Sequence, residues 1–250
     1  MIGEILKETV VRRRAIRRLH LAYLAAYAAV YVSLSAVSTS ADPPRWGLWL
    51  FVWSGCVLPV LLTIGIFGGD IASGRMMQLV TKPIALGTLY LFRFLGVYLQ
   101  CVVHLSICYG SVFIVASWTD AQAEGTLGPW FLASLLISPV WITLSATVST
   151  FVSRDFNVAV VFIGAIATFM VLQSADILAA IMSLPIMSEA VTVIGIYGMP
   201  SVVLLCKLGM RQCTGTEGIV AAVHPIVMAT VYAAIGIVIL NRREFTRERN

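Results

Sequence analysis

The chain has 250 residues, of which 59% are hydrophobic and 12% charged, roughly half the charged share of a soluble domain. So few charges cannot cover a water-soluble fold, and the apolar runs reach about twenty residues, the length that crosses a bilayer. The net charge of +5 is no nucleic-acid footprint, because the basic residues flank apolar runs and do not line one face of a soluble domain.

Met1 to Arg18 sets Ile2, Ile5, Leu6, Val10 and Ile16 near helical spacing, with Glu4, Lys7, Glu8 and five arginines on the other faces. That pattern predicts a basic amphipathic helix in the headgroup layer; the alternative is a solvated tail carrying orientation charges. A first span follows over Leu19 to Ser38, with no small-residue cleavage pattern, so no signal peptide is expected. After the turn at Asp42-Pro43-Pro44, Trp46 and Trp49 mark an interface, and the second span runs from Gly47 to Phe67. Leu89 to Trp118 predicts a third span longer than a bilayer requires, so tilt or projection is expected. Pro129 to Phe151 is the fourth, and Asn157 to Gln173 begins the fifth beyond the turn Ser153-Arg154-Asp155-Phe156.

The stretch 174–218 reads as an external re-entrant region. Ile177 to Met187 is too short to cross, and Ala190 to Cys206 is broken by Gly195, Gly198 and Pro200. Ile219 to Leu240 is the last span. Six spans with both termini in the cytoplasm put every Lys and Arg on the inside except Arg45, Lys207 and Arg211, as the positive-inside rule asks. The expected fold is therefore an all-α integral membrane protein of six helices.

Motifs for chemistry are absent from the sequence. There is no G-x-x-x-x-G-K-[ST] loop, H-E-x-x-H, paired C-x-x-C or G-x-S-x-G. His20, His104 and His224 are scattered over three spans without a carboxylate partner, so no metal is expected. Gln100, His104 and Ser111 recur at roughly helical spacing within the third span. They read either as a polar strip lining a substrate path or as interhelical hydrogen bonding. Ser138, Ser145 and Ser149 share one side of the fourth span, where small hydroxyls favour close helix packing. Cys56, Cys101 and Cys108 lie in apolar runs as small hydrophobes. Cys206 and Cys213 bracket a polar segment and are candidates for a disulfide if that segment faces an oxidising compartment.

The segment from Gly68 to Ile84 is too polar at its start to span, yet Ile71, Met76, Met77, Leu79 and Val80 are more apolar than a solvated loop requires. It reads as a short helix that docks a partner or rests on lipid.

In order and spacing these features resemble the permease subunits of type-2 ABC transporters, an exporter class with six spans per subunit. The resemblance lies in the amphipathic segment Met1 to Arg18, in Asp70…Gly74…Lys82-Pro83-Ile84 after the second span, and in the Ser153-Arg154-Asp155-Phe156-Asn157 turn. A broken hairpin before the sixth span and the ending Leu240-Asn241-Arg242-Arg243-Glu244-Phe245 complete it. The family usually carries a more acidic run before that glycine and Thr after it; here Ala72-Ser73 precede Gly74 and Arg75 follows.

The resemblance implies a single permease domain over 1–250, with an elbow helix at 1–18 and a cytoplasmic coupling segment at 68–88. It implies two copies of a separate cytoplasmic ATPase holding ATP and Mg, and a second permease subunit, identical or related. It also implies a multi-pass place in the inner (plasma) membrane and contact with lipid. The chain itself would be no enzyme and hold no cofactor. Contact with the ATPase falls to Asp70, Gly74, Arg75, Lys82, Pro83, Arg154, Asp155 and Phe156. The alternative is a non-ABC membrane scaffold or accessory subunit; an intramembrane enzyme would need more ionisable residues at depth than the spans hold.

Overall fold

The computed structural model describes residues 18, 21, 22, 25, 43–81, 85–118, 124–152, 156–173, 202–213 and 215–242. The expected elbow helix before Arg18, most of the first span, Lys82 to Ile84, Ser153 to Asp155, residues 174–201 and the end beyond Arg242 lie outside them. Among the described residues the regular structure is helical throughout, with no strand.

In chain order the helices are α1 (Pro43–Leu50), α2 (Leu58–Leu62), α3 (Gly68–Ala72), α4 (Arg75–Val80), α5 (Leu86–Trp118), α6 (Glu124–Phe151), α7 (Phe156–Gln173), α8 (Val202–Gly209) and α9 (Thr216–Arg242). A π-helical segment, Phe51–Val57, joins α1 to α2 with helical backbone on both sides. Its cause is local. Pro59 has no N–H to offer the Gly55 carbonyl, the Leu58 amide reaches five residues back to Trp53, and the Ser138 hydroxyl from α6 comes within 3.5 Å of the Gly55 oxygen.

Among the described residues, three stretches are long and apolar enough to cross a membrane: Leu86–Ile114, Leu127–Phe151 and Thr216–Arg242. This fits a membrane protein. Gly47–Leu62 and Phe156–Ile166 are shorter apolar helices. With 33 residues, α5 is about 50 Å long at 1.5 Å per residue, well beyond the roughly 30 Å of hydrocarbon.

Helix α6 is the hub, packing against α9, α5, α8, the π segment, α7 and α1. Its apolar window is 67% buried, against 44% for α5 and 17% for α9, so α6 is enclosed by protein while α9 turns most of its surface outward. The sequence explains the difference. Small residues on α6 (Ala133, Ser134, Ser138, Ser145, Ala146 and Ser149, all buried) let neighbouring backbones approach. Ile219, Val223, Ile226, Val227, Val231 and Ile235 on α9 stay exposed, an apolar surface suited to a lipid solvent.

The apolar interior forms two clusters. One gathers Leu50, Phe51, Leu105, Tyr109, Trp130, Ile137 and Leu205. The other gathers Leu62, Ile66, Phe67, Met76, Leu89, Tyr90, Ile142 and Leu240. They define a Trp130 end and an Asp70 end of the bundle.

Candidate functional site

At the Asp70 end the chain leaves α2 through a turn, Thr63 to Phe67, and enters α3. Its backbone groups must find partners away from water, and α6 supplies them. The Ser149 hydroxyl accepts the amides of Phe67 at 3.1 Å and Gly68 at 3.0 Å. Thr63 Oγ1 lies 2.5 Å from Ser145 Oγ. From the first turn of α7, the Asn157 amide donates to the Thr63 carbonyl at 3.1 Å, while its Oδ1 accepts the Gly65 amide at 3.2 Å. One fully buried asparagine thus ties the start of α7 to the turn beneath the second span.

Beside this knot lies a buried ion pair. Asp70 on α3 is 0% exposed and Arg93, two turns into α5, is 6% exposed. Arg93 Nη2 donates to Asp70 Oδ2, and its Nη1 donates to the Ile66 carbonyl. The guanidinium also sits 5.1 Å from the Phe67 ring centroid, a cation–π contact that strengthens when dehydrated. Phe67 stacks on Tyr90 at 5.2 Å. The Tyr90 hydroxyl reaches the Thr143 carbonyl at 3.1 Å and the Thr147 hydroxyl at 3.0 Å, and Thr147 donates to the Tyr232 carbonyl on α9 at 2.7 Å. Helices α3, α5, α6 and α9 are so joined through one polar chain.

Between α3 and α4 the backbone turns at Gly74, whose φ of +67° is left-handed and suits a residue without Cβ. Met76 faces inward and is fully buried, while Met77, Gln78 and Thr81 face out. The described part of this stretch is thus two short helices broken at Gly74.

The site residues read from the sequence fall in different places. Asp70 is interior, held by Arg93. Gly74 is the break, Arg75 opens α4 half-exposed, and Phe156 opens α7 with its ring exposed. Lys82, Pro83, Arg154 and Asp155 lie outside the described residues. Gln100 and His104 are buried. His104 Nδ1 is 2.6 Å from the Gln100 carbonyl, and Ser111 donates back to Ile107 at 2.7 Å. The Gln100 side-chain amide finds no hydrogen-bond partner among the described residues. Cys206 and Cys213 are both thiols. Burial and the Glu217 carboxylate push the Cys213 thiol up, against the pull of Lys207. Ser138, Ser145 and Ser149 do the packing work expected of them.

Arg93, Phe67 and Tyr90 carry the site without having been singled out in the sequence, and Asn157 was named there only as the end of the 153–157 turn. The signal for Arg93 was there: an arginine inside a long apolar helix must meet an anion, and Asp70 is the acid one short hairpin away.

At the Trp130 end the indole is flanked by two glycines. A Cβ on Gly47 would lie 2.1 Å from Trp130 Cδ1, and one on Gly209 would lie 2.3 Å from its Cε3. Nearby, a cleft of about 340 Å³ is lined by Gly128, Pro129, Leu132, Leu208, Arg211 and Cys213. Among the described residues, no three His, Cys, Asp or Glu side chains gather to hold a metal ion. No protein-family model and no curated protein matches the sequence.

Proposed function

We propose that the chain is the transmembrane permease subunit of an ATP-driven exporter of the type-2 ABC class, six-spanning, with both termini on the cytoplasmic side. The ATPase is a separate cytoplasmic chain present in two copies, and ATP and Mg bind there. The resemblance in layout and the missing phosphate loop support this reading.

The observation that carries it is the joint between two segments far apart in sequence. The turn leading into α3 and the start of α7 are hydrogen-bonded through Asn157, at 3.1 Å to Thr63 and 3.2 Å to Gly65. A push on either segment therefore reaches both, and through Ser149 and Ser145 it reaches the hub helix α6. In the mechanism, closure of the ATPase pair moves α4 and the start of α7, and the permease pair exchanges inward-open for outward-open packing. Such motion requires contacts that differ between the two states.

The test is affinity purification of the full-length chain from its native membrane in mild detergent. A copurifying ATPase with a phosphate loop, lost when Met77 and Gln78 are both replaced by Glu, is the expected result. Capture of no ATPase after chemical cross-linking overturns the reading in favour of a membrane scaffold.

A further inference from the structure

We propose that the Asp70–Arg93 ion pair is a releasable catch that holds the α3–α4 hairpin against α5, and that Gly74 is the pivot on which α4 swings once the catch opens. This deepens the permease reading and rests on it for the use made of the motion.

Three observations converge on the catch. First, the pair is almost completely dehydrated, with Asp70 0% and Arg93 6% exposed. A buried pair of this kind adds little stability over an apolar pair of similar shape, yet losing one partner is severe. Its advantage lies in fixing one arrangement and making departure from it abrupt. Second, Arg93 grips the entry to the hairpin at two points four residues apart, the Asp70 carboxylate and the Ile66 carbonyl, with its guanidinium 5.1 Å from the Phe67 ring centroid. The whole entry to the hairpin is thus fastened to α5, and Ser149 fastens it to α6.

Third, the hairpin beyond the catch is lightly held. Helix α4 is six residues long, too short to be stable alone. Its fully buried anchor is Met76, and a Cβ added at Gly74 would meet nothing within 4 Å. Opening the catch would let α4 leave without disturbing the interior of α6.

Hydrogen exchange on the full chain in lipid nanodiscs tests this. The reporters are the amides of Met77 and Thr81, bonded to the Gly74 and Met77 carbonyls at 3.3 and 3.2 Å; α6 amides serve as reference. Asp70→Asn and Arg93→Gln should each speed exchange in α4 about a hundredfold, with α6 unchanged. The double variant should exchange no faster than either single one, because removing both partners leaves no stranded charge. Arg93→Lys, which keeps the charge and loses the fork, should fall between the parent and Arg93→Gln.

Single variants within twofold of the parent overturn the catch. So do multiplicative effects in the double variant, or equal acceleration in α6. The permease reading fails separately, on whether the parent chain captures an ATPase.

Discussion

At the scale of single residues, the fold depends on where a side chain is missing as much as on where one is present. Gly236 on α9 lies so close to α5 and α6 that a methyl there would fall 2.6 Å from Thr147 Oγ1 and 2.7 Å from Tyr90 Cε2. Both atoms belong to the polar chain that ends at Tyr232, so the intruder cannot be accommodated by a flexible tip. Gly236→Ala should destabilise the protein by about 1–3 kcal/mol. Gly110→Ala, with nothing within 4 Å, should be neutral or gain up to about 1 kcal/mol from the backbone. Thermal unfolding in detergent compares them, and equal midpoints would refute the close approach. The same scale shows what the sequence could and could not disclose. Ser145 and Ser149 were legible as packing hydroxyls because their spacing puts them on one face. Their partners were not, since Thr63, Phe67 and Gly68 sit in a turn whose path no periodicity encodes.

At the scale of elements, the long apolar helices α5, α6 and α9 begin and end within a few residues of the expected spans, because twenty-residue apolar runs admit few other structures. Shorter elements were less legible. The π segment comes from Pro59 combined with a hydroxyl on another helix, and only the proline is visible in the sequence. The stretch after the second span, expected as a short helix, is two helices bent at Gly74. The glycine was noted for its place in a motif, not for its left-handed φ. That bend makes its own prediction. Gly74→Ala places a Cβ in a left-handed conformation at a cost of about 1–2 kcal/mol, so trypsin should cut faster after Arg75. Gly69→Ala, in ordinary helix with open space around it, should leave the cleavage rate unchanged; faster cutting in both variants would remove the special role of Gly74.

At the scale of the whole molecule, an enclosed α6 and an outward-facing α9 describe a bundle whose solvent differs from place to place. Ile226 is 59% exposed near the middle of α9, where an aspartate costs about 2.5–3.5 kcal/mol in insertion. Ile226→Asp should lower the alkali-resistant, membrane-embedded fraction, whereas Glu217→Gln at the start of α9 should not. Full retention of the Asp variant would mean that this face meets water or protein.

The two ends of the bundle are fastened in opposite ways. The Asp70 end is keyed by directional bonds that fit in one position and fail together. At the other end the Trp130 ring lies close against the backbone of both Gly47 and Gly209. Neither glycine has a side chain to hold the ring off, and Leu50 of α1 and Leu205 of α8 lie fully buried in the same cluster, so α1 and α8 meet α6 through close apolar packing. A junction of that kind answers to volume before it answers to polarity, so the two ends of the bundle are vulnerable to different kinds of substitution.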